Sequence, residues 1–411
     1  MKKCLGIFLL NLCAVGMWCF SPCQAVDLKD VEIHGFVSQG YLKSDRNDFI
    51  AETEEGTFEF NELGINFSTE LTDKLRLGIQ FFSHDFGEIG QNKVIVDWAF
   101  ADYRWKDWLG LRAGKIKMPI GFYNEIRDID SLKTNILLPQ SVYPEQYREN
   151  ILAIQGIGFY GDILMGPVGN LSYQLQYGSS DVENDSGLSQ SIESQGNFTI
   201  TGIDTDDTWI AALKWETPLY GLKLGASMIG SSFDMGFQTI APMPVGVNPQ
   251  TGELILVPTG TPLTLEVSEY LWKTYSLEYM WRNLTLCAEY STTEMTGQTR
   301  MATGLSPESE IDSEGWYVSA AYRFTERFEL GSYYSQYYPD KEDKDGDKIN
   351  PPLYKHSAWI KDVALTTRFD INTNWCFKLE GHSMNGTAMS LSNQNAEEDW
   401  FLFAAKMTFT F

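Results

Sequence analysis

From residue 31 onward the chain repeats one pattern: a segment in which apolar and polar side chains alternate, then a break rich in Gly, Asp, Asn or Pro. A period of two marks a strand with one greasy and one wet face. Sixteen such segments are predicted, at about 31–45, 57–71, 74–86, 93–105, 108–118, 155–164, 170–178, 207–216, 222–233, 269–281, 284–294, 314–324, 328–338, 357–369, 374–384 and 400–411. The breaks alternate in length. "TD", "KD", "MGPVG", "TPLYG", "RN", "TER" and "DINT" are tight, whereas "SSDVENDSGLSQSIESQGNFTITGIDTD" and "PDKEDKDGDKINPPLYKHS" are long.

Short turns on one rim and long loops on the other are the layout of an outer-membrane barrel, with the turns on the periplasmic side. The fold class expected is therefore all-β, a 16-stranded antiparallel transmembrane β-barrel, and the even count puts both chain ends on the periplasmic rim. Leu75, Leu77, Ile79 and Phe81 share one face of the third segment, and Arg76, Gly78, Gln80 and Phe82 the other. In the last segment Phe401, Phe403, Ala405, Met407, Phe409 and Phe411 alternate with Leu402, Ala404, Lys406 and Thr408. An apolar outside and a polar inside invert a soluble barrel. The competing architecture, a secreted two-domain β-sandwich, predicts turns of similar length at both ends and charge on the exposed face.

The first 25 residues change the solvent. Lys2 and Lys3 precede an apolar run from Leu5 to Phe20, then Pro22 and a small-residue exit at Ala25. This is a signal peptide, too short and too weakly flanked for a stop-transfer helix. An acylated Cys23 is the other reading, against which "FSPC" lacks the small residue usual before a lipidated cysteine. Residues 26–411 are expected to form a single barrel domain. Only Cys287 and Cys376 of the six cysteines lie in it, so no disulfide framework supports the fold.

Of 31 basic residues two lie in the leader, and 55 acidic residues lie outside it, so the exported chain is strongly anionic. Nucleic acid is excluded as a partner, because phosphate binding needs clustered Lys and Arg. Aromatics at 14% exclude a disordered acidic chain and suit interface girdles.

The terminal Phe411 resembles the C-terminal signature that barrel-assembly machinery reads in Gram-negative outer-membrane proteins, making Phe411 the candidate assembly signal. The chain as a whole resembles the sixteen-stranded porins. The stretch "LRAGKIKMPIGFYNEIRDIDSLKTNILLPQSVYPE" is similar to the strand-to-constriction-loop segment of the phosphate-selective porin superfamily in the broad sense. The tyrosine and arginine repertoire of a dedicated phosphate ladder is not evident. The resemblance implies a homotrimer in outer-membrane lipid and lipopolysaccharide, passing small hydrophilic solutes or ions by passive diffusion without a cofactor.

The residues of that stretch point the same way. Pro119 cannot donate a ladder bond and should end the fifth strand. A connection from about 119 to 155 is too long for a structureless loop, and with Ile136, Leu137, Leu138, Val142 and Tyr143 too apolar for water. It is expected to fold into the barrel and narrow the pore. The predicted constriction sets Arg112, Lys115 and Lys117 on the wall against Glu125, Arg127, Asp128 and Asp130 from the loop, giving a transverse field. The alternative leaves these charges on a solvated loop tip.

Other inward basic residues are Arg76, Lys214, Lys223, Arg323, Arg368 and Lys378. Glu216, Glu329 and Glu380 lie close enough in register to neutralise several, which favours a balanced lattice over an anion-attracting vestibule. The acidic run 340–348 is no EF-hand, since Lys341 and Pro352 fall where acids are required. It suits a solvated outer face, with divalent ions bridging to lipopolysaccharide phosphates as a further role, and no metal site is expected. "GHSMNG" at 381–386 carries a histidine and a serine, but a strand points His382 and Ser383 to opposite faces, so no enzyme is expected. An adhesin or structural barrel acting through the loops at 179–206 and 233–268 is the alternative to a pore.

Overall fold

The structure is a computed structural model that describes residues 27–411, apart from 88, 181, 185, 195, 197, 248–253, 302–305, 350, 351 and 391–395. The signal-peptide segment lies outside the described residues. Short turns join β2 (Asn61–Thr72) to β3 (Leu75–Asp85), β4 (Ile95–Lys106) to β5 (Leu109–Lys117), and β6 (Ala153–Leu164) to β7 (Asn170–Ser179). The same rim joins β8 (Phe198–Glu216) to β9 (Leu222–Thr239), β12 (Pro262–Trp281) to β13 (Leu284–Met301), β14 (Glu308–Arg323) to β15 (Phe328–Tyr338), and β16 (Ile360–Asp370) to β17 (Trp375–Gly386). Finally β18 (Asp399–Thr410) pairs with β1 (Val31–Ser44) and closes the barrel. A separate hairpin, β10 (Met243–Val247) and β11 (Leu254–Val257), rises from the β9–β12 connection.

The barrel thus holds sixteen antiparallel strands, and each predicted segment coincides with one of them. The ends meet through paired backbone bonds: Gly35 N–H donates to the Phe411 carbonyl and Phe411 N–H to the Gly35 carbonyl, each at 3.0 Å. A Cβ on Gly35 would lie 2.6 Å from the Phe411 ring and from the Gly64 carbonyl, so only glycine admits the terminal ring there.

Outward positions are apolar and exposed, among them Leu63, Leu111, Phe159, Leu175, Leu213, Leu277, Val363 and Phe403. Tyr103, Trp108, Trp281, Tyr322 and Trp375 ring the short-turn end, and Tyr177, Trp209, Tyr275 and Tyr290 stand nearer the other rim. This is the apolar band between aromatic girdles that a membrane barrel needs.

Two features depart from the sequence reading. β8, β9, β12, β13 and β14 run to 16–20 residues, against 9 for β5. Twenty residues at about 3.3 Å, tilted about 40°, climb roughly 50 Å, about twice the apolar band. Much of the predicted loops 179–206 and 233–268 is therefore strand, forming a palisade beyond the girdle. The inner face is also not uniformly polar. Leu42, Phe60, Met384, Trp400 and Leu402 form one buried cluster with Ile136 and Leu137, while Ile154, Ile210, Ile229 and Trp272 form another with Met118, Ile120 and Ile151. These apolar patches occur where the β5–β6 loop packs.

Candidate functional site

Residues 118–152 leave β5 and fold into the barrel interior, where Ile136, Leu137, Leu138, Val142 and Tyr143 are all buried. Their polar neighbours are equally enclosed: Arg127, Asp128 and Asp130 are each 3% exposed. That excludes the solvated-tip alternative.

The loop divides into a base and a tip. Asn124 ties the base together, its amide donating to the Met118 carbonyl at 3.0 Å and the Ile151 carbonyl at 2.7 Å. Gly121, at φ +54°, makes the turn beside it, where a Cβ would strike the Tyr143 hydroxyl at 2.2 Å. Arg127 pairs with Glu145 at 2.7 Å. Arg148 lies on the Phe82 ring and reaches Asp128 at 2.8 Å and Asp97 of β4 at 3.1 Å, with Lys117 3.1 Å from Asp128. Burial alone would raise the Asp128 pKa, but Arg148 and Lys117 outweigh it and hold the carboxyl ionised. Glu289 of β13 receives the Tyr143 hydroxyl at 2.5 Å, the Tyr317 hydroxyl at 2.7 Å and the Phe122 N–H at 2.9 Å.

The tip, residues 130–142, crosses to the wall of β14–β18. Asp130 accepts from Thr408 at 2.6 Å and lies 2.9 Å from Lys406 and 3.4 Å from Lys378. Lys406 also holds Glu62 of β2. Arg368 donates to the Ser131 carbonyl at 2.9 Å. Glu380 accepts the N–H groups of Ile136 at 2.8 Å and Leu137 at 2.9 Å, and is itself bonded by Thr366 and by His382, which bridges to Asp362 at 3.1 Å. Ser335 donates to the Ser141 hydroxyl at 2.8 Å, and Ser141 to the Trp316 carbonyl at 3.2 Å. Close approach is enforced at Gly315, where a Cβ would meet the Ser141 carbonyl at 2.1 Å. A gap of about 10 Å³ among Glu62, Arg127, Lys133, Glu145 and Lys406 admits at most one water.

The predicted constriction charges are thus only partly brought together. Lys117, Arg127, Asp128 and Asp130 enter the buried network, and Glu125 pairs with Lys214 at 3.2 Å. Arg112 faces Asp102 at 3.0 Å between the Tyr160 and Phe100 rings. Lys115 stands apart, half-buried, donating to the Val96 carbonyl at 2.7 Å. Loop acids meet basic partners directly, so the geometry is a set of neutralised pairs instead of two opposed charged walls. Lys223 pairs with Glu278 at 3.1 Å, Arg323 with Glu329 at 2.7 Å and Arg368 with Asp370 at 2.9 Å, while Arg76 is exposed on the inner wall. Sequence reasoning missed Arg148, Asp97, Glu145, Glu62, Lys406 and Glu289. The inward phase of Lys406 was the available signal.

His382 is buried in the lumen and Ser383 exposed outside. Among the described residues no group of His, Cys, Asp and Glu is placed to hold a metal ion. Among the described residues no helix is long and apolar enough to cross a membrane.

A closed sixteen-stranded barrel with an apolar band and an inward loop defines the architecture of Gram-negative porins, and solved structures resemble it. OmpF of Salmonella typhi superposes with a TM-score of 0.59 at 15% identity over 93% of this chain and 97% of that one. The outer membrane channel DcaP of Acinetobacter baumannii gives 0.54 at 9% over 93% and 97%. The trimer form of OmpT, an outer membrane protein of Vibrio cholerae, gives 0.52 at 11% over 93% and 99%. At these identities the likeness is one of fold. No family model matches the chain. An uncharacterized protein of Aquifex aeolicus is 27% identical over 139 residues, a third of this chain and 30% of that protein's length.

Proposed function

We propose that this chain is an outer-membrane porin, passing small hydrophilic solutes or ions passively, with the β5–β6 loop setting the narrowest point. The observation that carries this reading is the loop's entry into the lumen, bonded from Glu125, on Lys214 of β8, round to Asp130, on Lys406 of β18. A barrel acting only through its outer surface has no need of an interior loop. The trimeric state named for the OmpT structure and the outer-membrane setting of the neighbours support a homotrimer in the cell outer membrane. Delivery there by the barrel-assembly machinery, with Phe411 as the signal, belongs to the same proposal. Lipopolysaccharide is the expected partner of the acidic run at 340–348, through bridging divalent ions.

The paired inner charges point to a pore of weak ion preference. The test is single-channel current of refolded trimer in a planar bilayer across a salt gradient. Steps in threes with a small reversal potential are expected, and silence from well-folded, heat-modifiable protein would remove the reading. The palisade and the β10–β11 hairpin favour a second reading, an external adhesin, which predicts full activity after the loop tip is deleted.

A further inference from the structure

We infer that the loop tip is a gate, and that this arrangement is the shut state of the pore. The inference rests on the porin reading and concerns how the pathway opens. In the docked state the loop fills the lumen by packing: Ile136 and Leu137 join a core built from the inner wall, and inward Ser38, Gln80, Gln176, Ser276, Ser335 and Glu380, on β1, β3, β7, β12, β15 and β17, are all buried. Ions cross only where water is continuous, so a dry cluster at mid-height is a barrier.

The division of bonds shows what moves. The base satisfies its own charges: Arg127 on Glu145, Arg148 on Asp128 and Asp97, Tyr143 on Glu289. Bonds from Lys133 to the Arg127 carbonyl at 2.5 Å and from the Glu145 N–H to the Gln140 side chain at 2.7 Å join that set to the tip, and neither is one of its ion pairs. The tip is held to β14–β18 by side chains of the wall, chiefly Lys378, Lys406, Arg368, Glu380 and Ser335. These are mostly charged groups, which water can solvate once the tip leaves, so undocking exchanges one set of partners for another. Buried ion pairs contribute little net stability when both partners can be rehydrated together, which suits a contact that breaks reversibly. Gly121 at φ +54° and Pro119 lie in the entry to the base, whose bonds through Asn124 persist while the tip lifts.

The test locks the gate. Ser141→Cys with Ser335→Cys replaces two hydroxyls 2.8 Å apart, in a background of Cys287→Ser and Cys376→Ser. In bilayers the oxidised protein should lose at least ten-fold in open probability and recover on reduction. A second variant, residues 130–142 replaced by a short Gly/Ser linker, should conduct continuously with larger steps. Oxidised protein that conducts like the reduced form overturns the gate and leaves the porin reading standing, as does a linker variant no more conductive than the parent. A folded linker variant that is silent removes the porin reading and the gate together.

Discussion

Asp130→Asn is the most direct perturbation of the docked tip. The carboxylate meets Lys406 at 2.9 Å, Lys378 at 3.4 Å and the Thr408 hydroxyl at 2.6 Å, all buried. Removing one member of a buried pair costs about 3–5 kcal/mol when the other charge is stranded. Neither lysine is wholly stranded here: Lys406 keeps Glu62, and Lys378 keeps the carbonyls of Lys133 at 2.9 Å and Asn135 at 3.0 Å. The loss should therefore fall nearer 2–3 kcal/mol, which at ten-fold per 1.4 kcal/mol raises the undocked fraction roughly 30- to 150-fold. It should appear as faster hydrogen exchange at the Ile136 and Leu137 amides, the donors to Glu380, and as longer open times in bilayers. Burial would raise the Asp130 pKa, but Lys406, Lys378 and Lys133 outweigh it and hold the carboxyl well below the ordinary range. A depressed folded pKa contributes stability above the unfolded value near 4, lost only as pH falls below it. The difference between variant and parent should accordingly be the same from pH 5 to pH 8. Exchange and open times within about three-fold of the parent, in folded protein, would refute the assignment of Asp130 as a docking charge.

Arg148→Ala leaves Asp97 and Asp128 buried with only Lys117 between them, and should lower stability by about 3–5 kcal/mol in a urea titration of the refolded barrel, with Arg148→Lys losing less. Gly35→Val drives a side chain into the Phe411 ring and the Gly64 carbonyl, so heat-modifiable barrel should fall sharply on gels while Gly202→Val, whose Cβ meets nothing and whose backbone is not left-handed, assembles normally. Asp234 lies directly between Asp204 and Glu266 on adjacent palisade strands, so Asp234→Asn should raise the unfolding free energy from a urea titration by about 0.5–1 kcal/mol at low salt, an advantage that vanishes in high salt.

The strands were legible because lipid imposes its demand on every second residue, as in Leu284, Leu286, Ala288 and Tyr290 of β13. Beyond the girdle the demand lapses. The alternation was followed in β8 only from residue 207 and in β12 only from 269, and register shifts sit between Thr205 and Thr208 and between Val267 and Tyr270. Past those bulges alternation resumes, as Leu263, Leu265 and Val267 in β12 and Phe233, Met235 and Phe237 in β9, but the extra residues break its phase with the lipid-facing stretch, so the two halves do not read as one strand. The loop charges were legible as a group because acids beside apolar residues suit an enclosed segment. Their partners were not. Lys406 and Glu62 meet only because β18 closes on β1, a pairing fixed by barrel closure and invisible in local spacing. Arg148 was passed over because it lies in the returning half of the loop, where no strand phase assigns a direction.

The inner wall takes its chemistry from the loop more than from water. Backbone ladders and the lipid-facing band hold the cylinder, so inward side chains are free to serve another purpose. Apolar ones gather where the loop is apolar: Leu42, Phe60 and Leu402 beside Ile136 and Leu137, and Ile154, Ile210 and Trp272 beside Met118, Ile120 and Ile151. Charged ones gather where it carries charge or bare backbone: Lys378, Lys406 and Arg368 around residues 130–135, and Glu380 beneath two free N–H groups. Glycines stand where it comes closest, Gly315 under Ser141, Gly331 under Thr134 and Gly225 under Phe122. A wall shaped only to pass water would keep polar side chains at all these places. That these three kinds of position each match the loop residue opposite makes the docked loop the state that the inner wall is shaped to hold.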